Sequence, residues 1–221
     1  MRRRALLLAG AALAGAQVHA GAWEDFFQAI ELDDERTVAS LLRRGFDPNA
    51  RDARRQPAIT VALFKDSRKA AAVLLASRRL QVEARNAKDE SPLMMAAMRG
   101  NLQAARTLIA RDADVNKTGW TPLHYAASSS ADSAADMVRL LLEHAAYIDA
   151  GSPNGSTPLM MAAQYGQIDV ARLLLAEGAD PSIKNQQGLS ALDFARKAER
   201  DGLVQDIVRA MQRQRPNKGQ W

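Results

Sequence analysis

Between Thr157 and Gln187 the apolar residues fall into two short groups. Leu159, Ala162 and Ala163 recur at helical spacing, and Val170, Leu173 and Leu174 stand at i, i+3 and i+4. Each group marks one face of a short helix. Polar and turn-forming residues bound them. Thr157 can cap the first helix with its hydroxyl, and Pro158 suits a first helical turn, whose N–H has no partner in any case. Gly166 is suited to the left-handed residue that ends such a helix. Gly178 stops the second helix, and Ala179-Asp180-Pro181 leads out into a turn. The unit predicted is helix, turn, helix and extended loop.

That unit recurs. Thr157-Pro158-Leu159-Met160-Met161-Ala162-Ala163 repeats Ser91-Pro92-Leu93-Met94-Met95-Ala96-Ala97, and Thr121-Pro122-Leu123-His124-Tyr125-Ala126-Ala127 lies between them. A unit returning about every 33 residues marks a stacked repeat architecture. Weaker copies extend it. Asp25 to Asn49 carries Ala29, Leu41-Leu42 and Gly45-Phe46-Asp47; Gln56-Pro57 opens a second copy with Val73-Leu74-Leu75 in its second helix; Ser190-Ala191-Leu192-Asp193-Phe194-Ala195 opens a sixth, with Val204, Ile207 and Val208. The repeats fall near 22–54, 55–89, 90–119, 120–155, 156–188 and 189–211. Prolines 57, 92, 122 and 158 are spaced 35, 30 and 36 apart, so the array is irregular. Residues near Lys65–Arg68 and the run Ser128–Ser133 are expected to lengthen inter-helix turns. The link from Asp114-Val115-Asn116 to Thr121 is about three residues short, which predicts a stubby loop.

Thr121-Pro122-Leu123-His124-Tyr125-Ala126 matches the Thr-Pro-Leu-His-x-Ala signature of the ankyrin repeat. Leu173-Leu174-Leu175-Ala176-Glu177-Gly178-Ala179-Asp180 closely resembles that family's second-helix ending. The chain therefore resembles ankyrin-repeat proteins, including secreted or periplasmic bacterial ones. The resemblance implies an all-α ankyrin-repeat solenoid of about six helix-turn-helix units with short hairpin-like loops. Only 5% of residues are aromatic, as thin, closely packed helix pairs require. Such units bury little alone and are stabilised at their neighbour interfaces.

The first twenty residues stand apart. Arg2-Arg3-Arg4, the apolar run from Ala5 to Ala16 and the small-residue site Val18-His19-Ala20 have the form of a secretory signal peptide cleaved after Ala20. The apolar run is shorter than the roughly 20 residues needed to span a bilayer, so no stable membrane anchor is expected. With no cysteine in the chain, disulfides and a lipid-bearing thiol drop out, and a periplasmic or secreted bacterial location is the expectation. Of the net charge of +5, three units belong to Arg2, Arg3 and Arg4. The mature chain is then near +2, which gives no reason to expect nucleic acid as a partner. Residual basicity collects toward the C-terminus, with Arg209, Arg213, Arg215 and Lys218, and 212–221 reads as a basic flexible tail, with an electrostatic docking tail as the alternative.

Candidate chemistry is sparse. Three histidines occur, and His19 falls in the leader. His144 lies near the end of a second helix, where a cation suits the helix dipole. The family resemblance implies that His124 hydrogen-bonds neighbouring loop backbone. No serine–histidine–aspartate set, phosphate-cradling glycine loop or histidine metal pair can be assembled. Asp33-Asp34-Glu35 and Asp132/Asp136 read as caps or solvated charges. No catalytic, metal or cofactor residue is assigned, and the chain is expected not to be an enzyme. Met94 and Met160 stand where the family's histidine belongs, which breaks its histidine network in those two repeats.

In ankyrin proteins the residue before each Thr/Ser-Pro opening faces the concave groove. Carried over, these are Arg55, Glu90, Trp120, Ser156 and Leu189. The residues preceding the inner-helix glycine add Met98, Arg99, Gln164 and Tyr165. Tryptophan, tyrosine and arginine are the residues that dominate interface hot spots. A tryptophan at a loop tip can alternatively fold over the shortened loop before it. The expected function is a non-catalytic module gripping another protein, with the chain monomeric. An exported effector acting on a host protein, and an enzyme with an unrecognised site, are the alternatives left open.

Overall fold

The computed structural model describes residues 21–214. The leader 1–20 and most of the basic tail lie outside them. Among the described residues the regular structure is six helix pairs, and the chain divides between Ala87 and Lys88 into two units.

In the first unit, α1 covers 21–31 and pairs with α2 (Glu35–Arg43); α3 (Ala58–Phe64) pairs with α4 (Arg68–Ala76). Asp34 starts α2: its carboxylate accepts the Arg36 and Thr37 N–H groups at 3.0 and 3.2 Å. The first pair is packed with rings where later pairs use alanine. Phe26 is fully buried, 4.4 Å from the Phe46 ring and 5.6 Å from Phe27. Burying one such side chain is worth about 1.5–3 kcal/mol, which compensates for small neighbours.

The second unit holds α5 (Pro92–Met98), α6 (Leu102–Ile109), α7 (Pro122–Ala127), α8 (Ala134–Glu143), α9 (Pro158–Gln164), α10 (Ile168–Ala176), α11 (Ala191–Lys197) and α12 (Asp201–Gln214). Inner helices α5, α7, α9 and α11 stack in that order, and outer helices α6, α8, α10 and α12 form a second layer. Ala96, Ala97, Ala126, Ala127, Ala162 and Ala163 are all fully buried, and such small side chains let neighbouring inner helices pack closely.

The inner helices share one capping device. The third helical residue reaches back to the N–H of the capping residue: Met94 Sδ accepts from Ser91 at 3.3 Å, His124 Nδ1 from Thr121 at 3.2 Å, Met160 Sδ from Thr157 at 3.4 Å, and Asp193 Oδ2 from Ser190 at 2.8 Å. A thioether is a weak acceptor, but it satisfies a donor that would otherwise be orphaned. The other ends of the inner helices are capped from the next repeat. Ser129 and Ser133 donate to the Met98 and Gly100 carbonyls, each at 2.7 Å, Gln167 to Ala131 at 2.7 Å, and Arg200 to Ala162 and Gly166 at 3.1 and 2.5 Å.

Several sequence expectations change here. Pro57 is the cap of α3 and Ala58 its first residue, so the second repeat opens one residue later than the proline pattern suggests. Its inter-helix turn, 65–67, is no longer than 99–101 or 165–167; the Ser128–Ser133 run does lengthen the turn before α8. The loop 110–120 is short beside 144–156 and 177–189, by two residues. Gly166 does not take a positive φ. A Cβ there would stand 2.0 Å from the Ala127 carbonyl oxygen, so glycine is required by close approach instead.

Candidate functional site

Eight of the nine candidate residues lie in the second unit, at loop tips and inner-helix ends; Arg55 lies in the first. The tips are built alike. In the last one Asn185 accepts the Gln187 and Leu189 N–H groups, each at 3.0 Å, and its own N–H reaches the Leu189 carbonyl at 2.9 Å. Ser152 to Ser156 and Asp52 to Gln56 repeat that backbone bond, each at 2.9 Å. Gln56 is therefore the counterpart of Ser156 and Leu189. Arg55, at φ 62°, occupies the left-handed position filled by Gly155 (φ 77°) and Gly188 (φ 76°). The motif position expected at Arg55 thus belongs to Gln56.

Trp120 is partly buried and sets its ring edge-on to His124, 5.3 Å between centroids and 77° between planes. His124 is bonded at both nitrogens. Nδ1 accepts from Thr121, so the ring proton lies on Nε2, which donates to the Ser156 carbonyl at 2.9 Å. Burial lowers the His124 pKa, more than the bond to Ser156 raises it. A neutral imidazole with both nitrogens spent ties one repeat to the next loop and has no lone pair for a substrate. Ser156 is only 4% exposed, and its hydroxyl accepts from the Asn185 amide at 3.2 Å. It belongs to the fold, not to a surface, which corrects the expectation for that residue.

Glu90 is also engaged. Tyr125, on α7, donates its phenol hydrogen to Glu90 Oε1 at 2.8 Å. Burial chiefly, then this bond and the carboxylate charge, push the phenol's pKa up, so Tyr125 stays protonated. Tyr125 belongs on the inner-helix face yet is absent from the sequence-derived set. Its signal was its place in the motif, where Met95 and Met161 stand in the flanking repeats.

At the other end of the inner helices, Met98 is partly buried and Arg99 exposed. Gln164 is partly buried, and its Oε1 has no hydrogen-bond partner among the described residues. Tyr165 is 63% exposed, and its phenol bonds to no other described residue. Leu189 is partly buried beside its own loop tip.

The carboxylates have structural work. Asp34 is held below its ordinary pKa first by the Thr37 hydroxyl, and Asp33 accepts the Ala70 N–H at 2.9 Å. Asp136 pairs with Arg139 at 2.8 Å. Among the described residues no group of three or more histidine, cysteine, aspartate or glutamate side chains is placed to hold a metal ion. No described helix is long and apolar enough to cross a membrane. What the face offers is rings, sulfur and amide at one rim and hydrogen-bonded loop tips at the other, a surface suited to holding another molecule by contact.

A family model for ankyrin repeats in three copies matches residues 26–118, 78–152, 116–185 and 136–211. The mouse nuclear factor NF-kappa-B p105 subunit is 35% identical over 140 residues, covering 60% of this chain and 14% of that protein. The mouse B-cell lymphoma 3 protein homolog is 32% identical over 179 residues, covering 78% of this chain and 38% of that protein. The chain thus spans well under half the length of these curated relatives. Among solved structures, an ankyrin repeat domain from Acinetobacter baumannii superposes with a TM-score of 0.68 at 25% identity, covering 84% of this chain and 96% of that one. The human ASB11 ankyrin repeat domain gives 0.69 at 27%, covering 84% and 81%. With the family model, the two-layer helix pairs and the Thr-Pro-Leu-His-x-Ala segment in agreement, this chain belongs to the ankyrin repeat family.

Proposed function

We propose that this protein is a non-catalytic binder of another protein, that it receives its partner on the inner-helix face of the second unit, and that it works in the bacterial periplasm once residues 1–20 are removed. The observation that carries the binding face is Tyr165. A phenol this exposed, with no bond to another described residue, contributes nothing visible to folding, whereas a rigid amphipathic ring on a helix end suits contact with a partner. Arg99 occupies the corresponding inner-helix end two repeats earlier. Around them the polar groups of the loop tips are already paired, so the face is preformed and loses little ordering entropy on binding. The location rests on Arg2-Arg3-Arg4, the apolar run and Ala20.

The test is affinity capture from periplasmic extract, with the mature chain against a Tyr165→Ala, Arg99→Ala variant. Both residues are exposed, so the variant keeps its fold, and an unchanged circular-dichroism melt verifies this. A protein retained by the first and lost by the second supports the reading. Equal retention by both places the contact elsewhere on the molecule. The location is tested separately: the secreted form should begin at Gly21 by intact mass, and a chain retaining Met1 in the cytoplasm would overturn it.

A further inference from the structure

We propose that the cleft between α10 and α12, on the outer-helix side of the second unit and away from the face described above, binds a small polyanion of the pyrophosphate or tricarboxylate class. The cleft has a volume of about 340 Å³ and is lined by Arg172, Leu175, Ala176, Asp206, Arg209, Ala210 and Arg213. Three arginines and three apolar residues thus share the lining with one carboxylate. Cleft and arginines arise from one feature: α12 runs for 14 residues where α10 has 9, and its last turns carry Arg209 and Arg213 opposite the end of α10.

The arginines are positioned but not used up. Asp206 accepts from Arg172 Nε at 2.7 Å and also from Arg209, and Arg172 reaches Asp169 at 3.3 Å. Arg213 makes no ion pair or hydrogen bond with another described residue. A guanidinium carries five N–H donors in a fixed fork. Arg172 therefore spends two, Arg209 one and Arg213 none, leaving most of the donors of three groups at one hollow. Asp206 is held below its ordinary pKa by Arg172 first, so it stays ionised and keeps both neighbours fixed. The charged groups there are Arg172, Arg209 and Arg213 against Asp169 and Asp206, which leaves the cleft positive. Exposed ion pairs add little to stability, and the helix dipole favours cations at the end of α12, but neither requires them to meet around a hollow.

Guanidinium forks match the paired oxygens of phosphates and carboxylates alike. The volume lies at the small end of ligand sites, which favours a compact molecule over a length of chain. Clustered oxyanions with two or three negative charges use several forks at once and leave Asp206 in place.

The test is isothermal titration of the whole chain with pyrophosphate, with citrate and with a hexaglutamate peptide, each separately, in 150 mM sodium chloride to suppress non-specific attraction (about the physiological ionic strength). Arg213→Gln removes a group that has no ion pair or hydrogen bond with another described residue. Arg106→Gln on α6 is the control, an exposed arginine outside the cleft whose loss changes the net charge equally. The expected result is saturable binding at one site, about tenfold weaker in Arg213→Gln and unchanged in Arg106→Gln. Pyrophosphate alone, or citrate alone, would support the site and name the phosphate or the carboxylate class. Equal loss in both variants, or no saturation with either ligand, overturns the proposal. Binding confined to a hexaglutamate peptide overturns it in favour of an acidic protein segment.

Discussion

Asp149→Asn should make this protein more stable. Successive loops are tied by an asparagine that faces two ways. Asn49 accepts the Gln81 N–H at 2.8 Å and donates to the Arg79 carbonyl at 2.9 Å; Asn116 accepts from Tyr147 and donates to Ala145, each at 2.8 Å. Asp149 stands in the same place. It accepts the Asp180 N–H with its two oxygens at 3.0 and 3.3 Å, but an ionised carboxylate cannot donate, and the carbonyl in register, that of Gly178, gets nothing from it. Burial first, then the charge of Asp180, raise its pKa against the lowering effect of the Asp180 N–H. An amide restores one hydrogen bond and removes the repulsion, which is worth about 1–2 kcal/mol. At about 2–4 °C per kcal/mol for a chain of this size, Tm should rise by about 2–8 °C at pH 7. The pH dependence has a definite sign. The unfolded aspartate titrates near 3.8 and the folded one higher, so the folded chain binds the extra proton between those values. The cost of the carboxylate is therefore complete at neutral pH and shrinks as pH falls through that window. Thermal melts at pH 7 and pH 4 check this. A variant no more stable than the parent at pH 7, or equally favoured at both, would refute the reasoning.

Gly166→Ala should cost about 2 kcal/mol or more in urea denaturation, since the new methyl group meets the Ala127 carbonyl oxygen at 2.0 Å and backbone has to move. Thr60→Val should be neutral or stabilising by up to about 1 kcal/mol in the same assay: Thr60 Oγ1 is buried without a partner, and the capping Pro57 has no N–H for it to accept. His124→Met should keep the bond to the Thr121 N–H, as in the flanking repeats, but lose the Nε2–H bond to the Ser156 carbonyl, which keeps the Ser152 N–H, at a cost of about 0.5–1.5 kcal/mol. Because the folded His124 titrates below its ordinary 6.5, the unfolded chain binds the extra proton. Wild-type stability should therefore fall as pH drops below about 6.5, and urea midpoints should show that slope disappearing in His124→Met.

The helix pairs were legible because each repeat writes its own signals locally, a capping hydroxyl, an opening proline and an apolar face of alanine and leucine. The second repeat misled for the same reason. Pro57 has the look of the motif's proline, and only the loop bond from Asp52 to Gln56 reveals that it serves as the cap. The candidate face was less legible, because motif position gives the direction of a residue but not what its neighbours do to it. Ser156 is drawn inward by His124, 32 residues earlier, and by Asn185, 29 residues later. The Tyr125–Glu90 bond joins residues 35 apart. Trp120 satisfies both readings in part, since it packs on His124 and is still partly open to solvent.

The inner-helix carbonyls that wait for a donor from the following repeat give the array a direction. While the chain emerges from its N-terminus, α9 can form its turns, but the Gly166 oxygen has no donor from another described residue until Arg200 arrives, and the Ala162 oxygen has only the local Gly166 N–H. Completion of each repeat lags by one repeat of synthesis. A chain cut after Gly188 would lose α11 and α12 and leave the preceding inner helix open at its end, so a truncated product should be recognised by proteases through a repeat that is itself intact in sequence.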